Sequence, residues 1–172
     1  GAVVGIGIGW ATAHLVPDWV VTALVGAIGV SFALNLLLRR GATVEPRLAR
    51  IGPGLFWGTV TGFTSFVSHS GAPPYQVYTL PLNMPKVVFA GTATIAFAVV
   101  NAVKLIPYYF LGQLSVQNLE VAAVLMPVAA AAVFAGVALV KALPEVLFFR
   151  IVTWALLAIS LKLMWDGLGH LI

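Results

Sequence analysis

The stretch TSFVSHSGAPPYQVYTLP (residues 64–81) sets two serines around a histidine, then a glycine, two adjacent prolines and two tyrosines. Pro73 and Pro74 lack backbone donors, and each would clash with the carbonyl four residues before it, so no helix runs straight through them. Gly71 adds backbone freedom just ahead. A helix arriving from the N-terminal side must break here. A second helix can begin at Ala72-Pro73-Pro74, because proline is favoured in a first helical turn.

The surroundings give this break its meaning. The chain has 172 residues, of which 61% are hydrophobic and only 8% charged. A soluble domain carries about 25% charged residues, so this surface faces something other than water. Trp19 to Leu38 and Val121 to Val140 are each 20 residues without a charge, and about 20 apolar residues cross a bilayer core as a helix. The sequence predicts an all-α polytopic membrane protein, a helical bundle. No alternation of apolar and polar residues supports a β-barrel.

Four of the nine basic residues, Arg39, Arg40, Arg47 and Arg50, fall in one loop between hydrophobic segments. The positive-inside rule places that loop in the cytoplasm and the protein in the inner (plasma) membrane as a multi-pass chain. The net charge of +4 is thereby accounted for, and no nucleic-acid partner is expected. With no cysteine, a disulfide framework, thiolate metal sites and a cysteine nucleophile are excluded. No metal site and no cofactor are expected.

Six hydrophobic stretches follow one another: Ala2–Val16, ended by Pro17-Asp18; Trp19–Leu38; a broken segment over 52–82; Val87–Leu111; Val121–Val140, closed by Leu143-Pro144-Glu145; and Val146–Trp165. Residues 14–38 align without gaps on 141–165, sharing a small-residue helix, a Pro-acid turn and an apolar helix with one late polar residue, Asn35 or Lys162. Duplicated halves are common in secondary transporters. Residues 1–38 then read as the C-terminal part of a first repeat, 39–51 as a basic cytoplasmic loop and 52–172 as a complete second repeat. The chain opens on glycine in mid-helix composition, and repeat logic predicts roughly 75 further residues of a first unit ahead of it. The missing N-terminal half is thus an expected partner, along with the lipid bilayer; a homodimer is left open. If 52–82 crosses the membrane once, the halves are parallel. If it is a re-entrant hairpin, they are inverted, and Lys86, Lys141 and Arg150 join the arginine loop in the cytoplasm; the hairpin is preferred.

Non-helical backbone at membrane depth is tolerated only where it is buried in protein or lines a cavity. A helix N-terminus there presents unpaired N–H groups and a positive dipole end, which suit an anion. Ser68, Ser70 and Gly71 can cap or donate, and His69 can donate or carry a proton. The competing reading is a proline kink with no ligand, its carbonyls re-satisfied by serine. The next hydrophobic segment favours a site. Thr94, Phe97, Asn101, Lys104 and Tyr108 recur at spacings of three and four, one helical face. Asn101 falls near the midplane, where a polar residue is costly and functional by default. Lys104 faces the interior on this reading, or snorkels to the interface on the other.

Gly5/Gly9 and Gly58/Gly62 form GxxxG pairs, read as close helix packing. GIGIGW lacks the strand–helix context of a dinucleotide fingerprint. His14 and His170 read as interfacial, Glu145 and Arg150 as lying at or near a turn, and Lys162 and Asp166 as a helix-end ion pair.

GxxxGFxSFxSHSGAPPxQxYxLP (58–81), followed by FAGTATIAFAVVNAVKLIPYYFLGQL (89–114), resembles the second repeat of the sulfite exporter TauE/SafE family of membrane permeases. The resemblance is dense over 52–114: a His-Ser-Gly-Ala-Pro-Pro stretch, Tyr-x-Leu-Pro, Gly-Thr on the next helix, Asn-x-x-Lys-x-x-Pro-Tyr and Leu-Gly. Ala72 stands where many members have a second glycine, which stiffens the break. The resemblance implies export or uptake of sulfite, organosulfonates or related small organic anions.

The function expected is therefore a secondary transporter of a small anion, held between the break and the face carrying Thr92, Thr94, Asn101, Lys104 and Tyr108, and not an enzyme. Two alternatives remain at this stage. One is an intramembrane serine hydrolase using Ser68 and His69 as nucleophile and base, although no acid lies in a hydrophobic segment to orient the histidine. The other is a passive anion channel.

Overall fold

The structure, a computed structural model, describes residues 1–38 and 47–169. Arg39, Arg40 and the rest of 39–46, together with His170, lie outside the described residues. The described residues form α1 (Ala2–Thr12), α2 (Asp18–Leu38), α3 (Ile51–Val67), α4 (Ala72–Thr79), a 3₁₀ turn (Leu80–Leu82), α5 (Lys86–Phe110), α6 (Val116–Ala142) and α7 (Glu145–Leu168). The all-α expectation holds. Helices α2, α5, α6 and α7 are long and apolar enough to cross a membrane. Helix α6 buries none of its residues and leaves Val124 and Phe134 about three-quarters exposed, at 75% and 76%. Such a surface suits lipid rather than water.

The chain divides into two compact units, residues 1–84 with 149–172, and residues 85–148. In the first, α1 packs alongside α3. A Cβ added to Gly5 would stand 2.0 Å from the Thr59 carbonyl oxygen, and one on Gly62 would stand 2.0 Å from that of Ala2. Only hydrogen fits at either place, so the two GxxxG pairs do bring backbones into contact. Helix α7 meets α2 in the same manner. A Cβ on Gly26 would lie 2.5 Å from the Met164 nitrogen, one on Gly29 2.1 Å from Ser160 Oγ, and one on Gly167 2.6 Å from the Ala23 nitrogen. As the α2 positions ascend, their α7 partners descend. The two helices run antiparallel.

The broken segment doubles back. Helix α4 packs on α3, and the Tyr78 hydroxyl near its end donates to the Arg50 carbonyl at the start of α3 at 3.1 Å. The Arg47 N–H donates to the Pro81 carbonyl at 3.0 Å. Both ends of 51–82 therefore return to one place, as the hairpin reading requires.

In the second unit, the Lys86 ammonium at the start of α5 donates to the carbonyls of Lys141, at 3.1 Å, and of Leu143. These close α6, whose last carbonyls have no helical donors of their own and sit at the negative end of its dipole. Phe89 and Phe148 pack edge to face, their ring centres 6.2 Å apart. Helix α6 begins at Val116, earlier than the apolar run from Val121, because the Ser115 hydroxyl accepts the Asn118 N–H at 3.2 Å and caps it. Lys162 and Asp166 form the ion pair expected from their spacing.

Candidate substrate site

Helix α3 does not fade out; it is closed by its own backbone. The Thr64 carbonyl accepts the Ser68 N–H at 3.0 Å and the Ser70 N–H at 3.1 Å, and also the Ser68 hydroxyl at 3.1 Å. Donors four and six residues beyond the same oxygen require a sharp turn between them. His69 makes it, with φ of 53°, the left-handed conformation that ends many helices and that histidine enters more readily than most residues. The Ser70 hydroxyl donates to the Ser68 carbonyl at 2.8 Å, which fixes the turn further.

Helix α4 starts one residue beyond the turn, with Gly71 as N-cap and proline in its first turn. A helix start ordinarily leaves four N–H groups without partners. Here Pro73 and Pro74 have none to leave. Gly71 and Ala72 are the two residues at this start that keep an N–H, and no backbone acceptor meets either among the described residues. Ser70, Gly71, Pro73 and Pro74 are buried, Ser68 and Ala72 half-buried and His69 exposed. Two adjacent donors at a positive dipole end are set in a buried turn, an arrangement suited to a small oxyanion.

The same first turn touches α2 and α7. A Cβ on Gly29 would meet both Ser160 Oγ and, at 3.2 Å, the Pro73 side chain. Ser160 is wholly buried, at 0% exposure, and its hydroxyl has no hydrogen-bond partner among the described residues; nor does Gln76 Oε1 on α4. The sequence reading singled out neither residue. Ser160 carried a signal, as a lone hydroxyl in an apolar helix, but one serine in such a helix usually bonds its own backbone four residues back.

The remaining expected residues lie on α5. Lys104 is 6% exposed, so its ammonium does not extend to a free surface; it stands 5.8 Å from the centre of the Tyr108 ring, within cation–π range. Val100 and Pro107 are buried with it, and the Tyr108 hydroxyl is buried too. Thr92, Thr94 and Asn101 are exposed, and the Thr94 hydroxyl donates to the Ala90 carbonyl at 2.9 Å. The structure thus gathers Ser68, His69, Ser70 and Gly71 in one turn and places Lys104 and Tyr108 on the buried stripe of α5. Asn101 lies beside that stripe rather than on it. No group of three or more histidine or acidic residues that could hold a metal occurs among the described residues.

The family described as "Sulfite exporter TauE/SafE" matches residues 1–163. No curated protein and no solved structure was found to match the chain. The match extends well beyond the densely similar region and takes in α1, α2 and α7 as well as the broken segment. An all-helical chain with four helices fit to cross a bilayer and a buried, proline-started turn agrees with it. The chain belongs to the sulfite exporter TauE/SafE family of membrane permeases.

Proposed function

We propose that the chain is part of a secondary transporter for a small oxyanion of the sulfite, sulfonate or carboxylate class, seated in the inner membrane, and that the anion is held at the start of α4. The observation that carries this reading is the pair of Gly71 and Ala72 N–H groups, adjacent, without backbone acceptors and at the positive end of a helix. Proline at the next two positions keeps the site to two donors, which matches two oxygens of one small anion. On the expectation from the sequence Lys104 of α5 supplies the positive charge, and Ser70 is the buried polar side chain of the turn itself. The antiparallel contact of α2 with α7, and the doubling back of 51–82, support halves related as inverted repeats.

The hydrolase reading is disfavoured by the directions of the two hydroxyls. Ser68 and Ser70 each donate to a backbone carbonyl, whereas a nucleophilic serine directs its proton to the base. The test is a screen of sulfite, sulfonates and carboxylates by thermal shift on the purified protein, followed by uptake of the best ligand into proteoliposomes. A rise in melting temperature with at least one small oxyanion, and saturable flux of it, is expected. Flux that never saturates would make the protein a channel, and covalent labelling of Ser68 or Ser70 by a serine-reactive phosphonate would make it an enzyme.

A further inference from the structure

At the open end of the hairpin lies a cleft of about 490 Å³ lined by Arg47, Leu48, Arg50, Pro53, Trp57 and Tyr78, among others. Next to it lies a second, of about 600 Å³, that runs along α2 past Ala27, Ile28, Ser31, Phe32 and Asn35. Arg47, Trp57 and Val77 line both. Sharing three walls, the two adjoin and form a groove with two chemistries. One end carries two arginines, and neither guanidinium has a hydrogen bond or ion pair among the described residues. The other end extends from Asn35 to Ala27, roughly 12 Å along the helix axis at 1.5 Å per residue, and is walled mainly by Ala27, Ile28, Phe32, Trp57 and Val77.

From this groove we infer a binding site for one anionic phospholipid, its phosphate between Arg47 and Arg50 and one acyl chain along α2. Three features select that occupant. Arginine pairs with phosphate through a planar fork, and two forks lining one cleft, neither paired among the described residues, call for an acidic group. The groove continues from there down the flank of a helix long and apolar enough to cross the bilayer, so an acidic head placed at the arginines leads its tail toward the hydrocarbon. Trp57 lines both cavities and Tyr78 the arginine cleft, and aromatic rings with a polar edge collect at the lipid headgroup level. A soluble oxyanion satisfies the arginines but leaves the α2 end of the groove empty. A zwitterionic lipid fills the groove but brings a cation to two cations.

The site also has a structural consequence. The backbone of Arg47 is bonded to Pro81, and the carbonyl of Arg50 to Tyr78, so the residues that hold the headgroup are those that close the hairpin. Lipid bound there braces α3 against the end of α4. The site stands independently of which anion is transported.

The experiment is a thermal melt of the purified full chain in detergent, with added phosphatidylglycerol, phosphatidylcholine, or millimolar inorganic phosphate and sulfite. Phosphatidylglycerol is expected to raise the melting temperature by several degrees and phosphatidylcholine to leave it unchanged. The double substitution Arg47→Gln/Arg50→Gln, and separately Ala27→Phe, which fills the tail groove without touching the arginines, should each weaken the lipid response at least tenfold in concentration. Equal responses to both lipids, or a response that survives both variants, would overturn the inference. So would a rise produced by inorganic phosphate or sulfite alone and abolished in the arginine variant, which would assign the cleft to a soluble oxyanion. Should a variant not fold, tail-brominated phosphatidylglycerol added to protein whose other four tryptophans are phenylalanine decides the matter. Trp57 is expected to be quenched more by it than by brominated phosphatidylcholine, and equal quenching would sink the site.

Discussion

Helices α2 and α7 occupy positions 127 residues apart in the chain and start alike, each on an acid that follows a proline, Asp18 after Pro17 and Glu145 after Pro144. Three of the five buried positions of α2 also coincide with buried positions of α7 at that spacing. Val21, Gly29 and Ala33 of α2 are buried, and so are their counterparts Phe148, Leu156 and Ser160. What differs is the volume at each place. Where α2 has Gly29, α7 has Leu156; where α2 has Ala33, α7 has Ser160. At these positions the contact is consequently lopsided, α2 providing the hollow at Gly29 and α7 the Ser160 side chain that fills it, whereas nearer the end of α7 the hollow is Gly167 and the side chain Ala23 of α2. A duplicated pattern fixes which face of a helix is buried, while the residue volumes on that face set how near the partner can come.

On the inverted-repeat reading, the turns before the two helices open on opposite sides of the membrane, and this is the sharpest way to break the comparison. The chain has no cysteine, so His14→Cys and Ala142→Cys are clean single-site probes. A membrane-impermeant maleimide is expected to label the two from opposite faces only. Labelling of both from one face would end the inverted reading outright.

The lopsided volumes come next. Gly29→Val puts carbon where Ser160 Oγ and the Pro73 side chain already stand, and is expected to cost about 3 kcal/mol in a reversible melt. Leu156→Val at the counterpart position removes one methylene and should cost about 1 kcal/mol. Equal costs would show the two helices to be interchangeable here. Lys104 is the one buried cation among the described residues, and so the charge to test for the proposed anion site. Lys104→Gln keeps hydrogen bonding and removes the charge, worth about 1.5–3 kcal/mol. Affinity for the best small anion is expected to fall roughly ten- to a hundredfold, and wild-type affinity would remove Lys104 from the site.

Smaller effects sharpen the picture at single atoms. Ser160→Ala makes α7 match Ala33 of α2 and takes away a buried hydroxyl without a partner, so stability should hold or rise by about 1 kcal/mol. A clear loss instead would mean that the hydroxyl is bonded to something the anion or a water supplies. Last, Lys162→Gln should cost below about 0.5 kcal/mol, since the pair with Asp166 is exposed and such pairs are weak.

Proline and glycine carried most of what could be read beforehand. Pro73 and Pro74 fixed where α4 begins, Pro17 and Pro144 where α2 and α7 begin, and the GxxxG pairs foretold backbone contact. These are local steric facts, visible in any window of a few residues. The return of the hairpin was not local. It rests on Tyr78 reaching Arg50 and Arg47 reaching Pro81 across about thirty residues, and charge bias among distant loops was its one sequence signal. Ser115 was legible in principle, as a serine ahead of a helix, but a search for apolar runs passes over the polar turn it caps. The expected face of α5 was read from helical spacing, which assigns residues to a stripe some 100° wide. Asn101 and Lys104 both fall within that width, and the fold buries one and exposes the other.

Contact between α1 and α3 runs through bare backbone at Gly5 and Gly62, and this governs how the two can move. Side chains in a packed interface can hop between rotamers and so let helices slide or roll. Peptide groups pressed directly together have no such freedom, because the smallest roll drives a carbonyl into a neighbouring strand of main chain. Helices α1 and α3 are therefore a single stiff strut for any change of shape the molecule undergoes. The two arms of the hairpin meet at the short turn at 68–71, where one left-handed residue, His69, joins this strut to an arm of eight residues. The hydrogen bonds across that turn, and those of Tyr78 and Arg47 at the open end, hold α4 against the strut at both of its ends.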